Sequence, residues 1–163
     1  MIKQNIKVKI DDSKMKKIFN ELKTLQRAYT IIGIQEGNPV VDGELLSQIA
    51  FWNEFGTKNI PERSFMRAWF DTNISTIQQR ARYLYGKVLD GKMNARTALS
   101  TLGQWMQDRI RKSILEFTTP PNAPMTIRRK GSSHPLIDTK QMLNSIHHTE
   151  HYGKPIPVVE STK

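Results

Sequence analysis

Apolar residues recur along this chain with two different periods. In residues 4–10, Ile6, Val8 and Ile10 alternate with polar positions, the period of a strand with one buried face. Asp11 or Asp12 then offers a helix cap. Met15, Ile18, Phe19, Leu22 and Leu25 follow at helical spacing, with lysines opposite, so a helix is predicted over about 12–26. Tyr29, Ile31, Ile32 and Ile34 predict a second strand over 28–35, ending at Gly37-Asn38-Pro39. The opening is therefore β-α-β.

Helices dominate the middle. One is predicted from Asp42 or Gly43, with Leu45, Leu46, Ile49, Ala50 and Phe55 on its apolar face, ending at Gly56. Pro61 then biases Ile60 towards an extended conformation, and Arg63 emerges beside Phe65, Met66, Trp69 and Phe70. A short helix is expected around 63–71, and Asn73 is expected to cap a longer one to Leu89. Asp90-Gly91 breaks it. Asn94 caps the next, with Ala95, Ala98, Leu99, Leu102, Trp105, Met106, Ile110 and Ile114 in register. The short join predicts an antiparallel helical hairpin.

From Thr118 the pattern changes. Thr118 to Pro124 holds three prolines and reads as extended; Met125 to Pro135 reads as a basic, polar loop. Connections this long inside a compact domain tend to be functional or disordered. Asp138 or Thr139 is the expected cap of a short helix over 140–145. Ile146 to Tyr152 is a predicted strand, followed by an extended tail over 153–163. The class is α+β: a small sheet from N-terminal and C-terminal strands, packed against several helices including the long hairpin, in a single domain over 1–163.

Composition narrows the chemistry. The chain has 163 residues, 37% hydrophobic and 25% charged, and no cysteine, so disulfides and thiolate metal sites are excluded. It has no apolar run long enough to span a membrane and no signal-like N-terminus. The formal net charge is +10 and the pI about 9.9, which favours nucleic acid, an anionic surface or an acidic protein as partner. Arg109, Arg111 and Lys112 late in a helix, and Arg128, Arg129 and Lys130 in the loop, are the candidate contacts to phosphates or to an acidic partner. No base-reading motif accompanies them.

His147, His148 and His151 cluster in sequence, but no carboxylate-rich partner motif supports a metal site; solvated histidines account for them. No nucleophile elbow, phosphate loop or dinucleotide fingerprint is present. Glu54 and Glu62 could be drawn as an acid/base pair, but in a polar connector a cap or a surface salt bridge is the usual role. No catalytic residue, cofactor or metal is expected.

Two stretches carry a resemblance. One is Ile49-Ala50-Phe51-Trp52-Asn53-Glu54-Phe55-Gly56-Thr57, continuing to Ile60-Pro61-Glu62-Arg63-Ser64-Phe65-Met66-Arg67. The other runs from Met125-Thr126-Ile127 through Lys130-Gly131 to Pro135-Leu136-Ile137-Asp138-Thr139-Lys140-Gln141-Met142 and Ser145-Ile146. Together, in this order, they resemble the tail-completion or virion-morphogenesis proteins of long-tailed bacteriophages. Ser64 stands where that family often has Pro, and Lys140 where it often has Gly.

The resemblance implies a non-enzymatic virion component at the head-proximal end of the tail. Its partners would be further copies of itself, six by analogy with tail symmetry, the tail terminator or tail tube, the head connector, and DNA in the channel. A tail terminator or head-side connector piece is the alternative within the virion, and a basic nucleic-acid-binding protein the alternative outside it. Gly56, Pro61, Arg63, Phe65, Trp69, Asp138 and Thr139 are the candidate corner or interface residues. Arg63 is expected to anchor the corner, either to the 118–138 connection or to a neighbouring subunit. The aromatic residues around it serve as interface anchors or are buried within the monomer.

Overall fold

The computed structural model describes residues 12–34 and 39–153. The strand expected over 4–10, the Gly37-Asn38 break and the tail beyond Gly153 lie outside the described residues. Within them the architecture is α+β, as the sequence predicts.

Helix α1 covers Ser13–Gln26, and β1 follows at Ala28–Ile34. Strand β1 pairs antiparallel with the C-terminal strand of the described chain, which runs Ile146–Tyr152; Ala28 faces Tyr152 and Ile34 faces Ile146. The helix expected to start at Asp42 or Gly43 does not start there. Val40–Val41 (β2) and Glu44–Leu45 (β3) form a small hairpin. Its turn residues, Asp42 and Gly43, have φ of 54° and 86°. Asp-Gly with both φ positive is the signature of a two-residue hairpin turn, and that preference overrides capping here. Helix α2 then spans Leu46–Phe55 and stops at Gly56.

Residues 63–89 contain one helix rather than two. Helix α3 runs Arg67–Leu89 without a break, and Asn73 lies inside it, its side-chain amide donating to the Trp69 carbonyl at 2.8 Å. Asn94 does cap α4, Ala95–Glu116, accepting the Thr97 N–H at 2.7 Å. Together α3 and α4 form the expected hairpin, turning at Asp90-Gly91.

The basic stretch after Pro124 is helical where a loop was expected. Helix α5 spans Pro124–Lys130, with Pro at its first position, where a missing N–H costs nothing, and Gly131 closing it in the left-handed region. Helix α6 covers Gln141–Asn144, but neither Asp138 nor Thr139 caps it. Lys140 occupies the cap position with φ 62°, and no side chain bonds to the free N–H groups. The Ile146–Tyr152 strand completes the described chain as β4.

Helix α4 is the axis of the molecule. It packs against α1, α3, α6, β1 and β4, and Ala95, Ala98, Leu99, Leu102, Met106, Ile110 and Ile114 are all buried. Its N-terminal half joins Leu84 and Val88 of α3 in one cluster. Its C-terminal half joins Leu46, Ala50, Phe65, Leu136, Met142 and Ile146 in a second. Gly103 permits α4 to lie close on the sheet: a Cβ there would sit 2.5 Å from His148 Cδ2 and 2.9 Å from Thr30 Oγ1.

Candidate functional site

The corner between α2 and α3 is held by side chains from α2 itself. Gly56 ends the helix with φ 72°, and a Cβ at that position would lie 3.0 Å from the Glu62 backbone nitrogen. Thr57 closes the next turn. Its N–H donates to the Ile60 carbonyl at 2.8 Å, and its hydroxyl accepts the Ile60 N–H at 3.0 Å. Pro61 follows, exposed.

Asn53 and Glu54 then take the re-entering chain. The Asn53 carbonyl accepts the Arg63 N–H at 2.6 Å, and its side-chain oxygen accepts Arg63 Nη1 at 3.0 Å. Glu54, buried at 8% exposure, reaches the start of α3. Its carboxylate accepts the N–H groups of Met66 and Arg67 at 3.1 and 2.8 Å, and the Ser64 hydroxyl at 2.9 Å. A carboxylate on the first N–H groups of a helix satisfies orphan donors and meets the positive end of the dipole. Ser64 accepts the Ala68 N–H at 3.2 Å. Glu62 forms a surface pair with Arg67 at 2.6 Å.

Arg63 bonds to the 118–138 connection. Only 5% exposed, it donates from Nε to the Pro120 carbonyl at 3.1 Å and from Nη2 to the Pro121 carbonyl at 3.1 Å and Asn122 Oδ1 at 3.3 Å. The Thr119-Pro120 bond is cis. Asn122 in turn donates to the His134 carbonyl at 3.0 Å, one residue before Pro135. Every acceptor of this guanidinium is a neutral amide, and burial lowers its pKa. The rigid fork of Arg suits several carbonyls at once.

Phe65, beside it, is 1% exposed and shares a cluster with Leu136 and Met142, so it holds the corner from inside. Trp69 is half-buried, edge-on to Trp105 at 6.2 Å. Phe51 and Phe55 lie on the outer side of α2 with ring centroids 4.7 Å apart, and the Arg67 guanidinium sits 4.6 Å over Phe55. Phe51 is 59% exposed and Phe70 44%.

The basic candidates do not form one patch. Arg111 is an internal staple, donating to the Ile146 and Asn144 carbonyls at 2.8 and 3.3 Å. Arg109 lies over the Trp105 ring, and Lys112 pairs with Glu116 at 3.4 Å; both line a groove between α3 and α4. Arg129 and Lys130 line a different groove, of about 380 Å³, which Asp138, Thr139 and Lys140 also border. Lys130 donates to the His134 carbonyl at 3.2 Å, and burial pulls its pKa down. Arg128 is exposed on α5.

The three histidines diverge: His147 is exposed, His151 stacks on Tyr29 at 4.9 Å, and His148 bonds to Gln107. The Gln107 oxygen accepts both the His148 backbone N–H at 2.9 Å and the ring at 2.7 Å, so His148 Nδ1 carries a proton. Among the described residues, no cluster of metal-ligating side chains occurs, and no helix is long and apolar enough to cross a membrane.

The cap or salt-bridge role expected of Glu54 and Glu62 is what the structure shows, Glu54 as the cap and Glu62 as the surface pair; Asn53 and Asn122 are the members of this site that the sequence did not single out. Glu54 acts on a helix that begins a dozen residues later, and no local capping pattern announces such a contact. Comparison with family models, curated proteins and solved structures gives no match for the chain.

Proposed function

We propose that this protein is a tail-completion or neck component of a long-tailed bacteriophage, joining the tail to the head connector through protein contacts rather than chemistry. The observation that carries the reading is the meeting of the two stretches that resemble that family. Phe65 of the first and Leu136 of the second share one buried cluster. Arg63, through Asn122, links the corner to the residue before Pro135. Residues that lie far apart in sequence are thus parts of a single unit, which favours a shared family pattern over two chance matches.

The surface around that unit suits assembly. Phe51, Phe55 and Phe70 are exposed aromatics, the residue type on which interfaces concentrate their energy. Copies would surround the DNA channel, six by analogy, with the tail terminator or tube on one side and the connector on the other. Tail terminator or head-side connector is the alternative position in the same particle. The direct test is sedimentation of the purified protein with and without isolated, unjoined tails. Co-sedimentation with tails is expected, and a chain that stays at the top of the gradient at saturating tail concentration contradicts the reading.

A further inference from the structure

Helix α4 closes the outer edge of β4. The His148 backbone N–H donates to Gln107 Oε1 at 2.9 Å, and the Ile146 carbonyl accepts Arg111 Nη2 at 2.8 Å, so both groups turn away from β1. In an antiparallel ladder the residues opposite such a pair also turn their backbone groups outward. Ile32 faces His148 and Ile34 faces Ile146, and Ala28 and Thr30 share their period. The N–H and C=O groups of these four residues form the other edge of the sheet, and no described residue bonds to them. An unpaired edge of this length is a template for a further strand.

The chain carries a segment with the pattern of such a strand. Ile6, Val8 and Ile10 alternate with Asn5, Lys7 and Lys9. The segment leads into α1, and α1 limits where it can go. Lys14 and Ile18 lie beside Gly91 at the α3–α4 turn, and Glu21 accepts the Ala95 N–H at 2.7 Å. Helix α1 therefore runs in the same sense as α4, starting at the turn. Strand β1 continues in that sense. It starts at Ala28, opposite Tyr152, whose ring lies under Arg96, and passes Gly103 at Thr30. The 14 residues of α1 make it about 21 Å long, so the chain enters α1 about 20 Å from the start of β1 and further from its middle. At about 3.3 Å per residue, crossing that gap uses about six residues. Val8 and Ile10 of the same copy cannot reach Thr30 or Ile32.

We propose that residues 4–10 of one copy add as a strand to the outer edge of β1 in a second copy. Main-chain bonds to Ala28, Thr30, Ile32 and Ile34 give the affinity. Ile6, Val8 and Ile10 join the side of the sheet on which Ile32 meets the α3–α4 cluster, and Lys7 and Lys9 stay in water. Donor segment and receiving edge are different surfaces, so the contact is heterologous. It repeats head-to-tail and closes into a ring where the rotation permits. This inference rests on the assembly role proposed above and names the contact between copies.

The experiment uses Val8→Pro in the full chain, which breaks the donor strand and leaves the β1 edge intact; circular dichroism checks its fold. Amide hydrogen exchange is read at Thr30 and Ile32, whose N–H groups point outward, with Ile31, inside the β1–β4 ladder, as control. Wild type at millimolar concentration sediments as oligomers, and Thr30 and Ile32 exchange as slowly as Ile31. Val8→Pro is monomeric and loses protection at Thr30 and Ile32 alone. Isotopically labelled Val8→Pro mixed with unlabelled wild type regains it, because the wild-type segment pairs with the intact edge. A wild type that stays monomeric, or whose oligomers exchange fast at Thr30 and Ile32, overturns the proposal. So does protection that persists where wild type is diluted to monomer, which places the segment on its own copy, or protection that mixing does not restore. Protection that appears only on adding isolated tails also overturns it, assigning the edge to a tail protein. Should Val8→Pro fail to fold, Ile6→Asp with Val8→Asp replaces it in the same mixture. Failure here with tail binding intact removes the contact, and restored protection without tail binding removes the neck role.

Discussion

The Glu54 carboxylate accepts the backbone N–H of Arg67 at 2.8 Å, so the last turn of α2 caps the first turn of α3 across the corner. The two helices are locked to one another by a charge-assisted bond between a side chain and a helix terminus. Glu54→Ala leaves those N–H groups without their acceptor in a partly buried place. The loss is about 2 kcal/mol, the range of helix caps and of hydrogen bonds to charged groups. Urea unfolding measures it, and Glu54→Gln, which keeps one acceptor, falls between wild type and Ala.

Arg63 anchors the connection by geometry as much as by charge. Arg63→Lys keeps the charge and loses the fork that reaches the Pro120 and Pro121 carbonyls together. The expected destabilisation is about 2 kcal/mol, since two partly buried carbonyls and the buried Asn122 side chain lose a charged donor. Limited proteolysis reads the same change locally: cleavage within 118–134 accelerates more in the variant than cleavage within α4.

Two glycines separate packing from propensity. Gly103→Ala drives a methyl group into His148 and Thr30, an overpacking that costs about 1–3 kcal/mol. Gly86 in α3 faces open space, so Gly86→Ala removes a helix-weakening residue and stabilises by about 1 kcal/mol. Thermal unfolding of both variants should therefore move in opposite directions.

Lys140 holds φ 62° without the benefit of glycine. This is the position where the resembling family often has Gly, and the departure now has a physical meaning: a left-handed residue carries a Cβ. Lys140→Gly relieves about 1 kcal/mol of backbone strain and raises the unfolding midpoint. An unchanged or lowered midpoint would show that the Lys140 side chain stabilises this turn by other contacts.

The sequence made the regular parts legible. The register of α4 from Ala95 to Ile114 and the cap at Asn94 are local signals, and the structure carries both. What failed was the choice between two local roles for one residue. Asp42-Gly43 can start a helix or turn a hairpin, and pairing of Val40 with Leu45 decides for the hairpin. Asn73 can cap a helix or sit inside one. It sits inside because Glu54, distant in sequence, has already fixed where α3 begins. The 125–130 segment lacks an apolar stripe, so its helix rests on Pro124 and Gly131 at its ends. In the candidate site, Gly56, Pro61 and Arg63 were readable because their backbone or charge is unusual. The cap role of Glu54 was readable but not the helix it caps, and Asn53 and Asn122 were not readable, because their partners are distant in sequence.

The central claim is a role in joining tails to heads, and electron microscopy of a lysate lacking this protein tests it most directly. In a phage carrying the gene, its deletion should yield DNA-filled heads and separate, full-length tails, with joining restored when the wild-type protein is supplied in trans. Normally joined virions in the deletion would contradict the account.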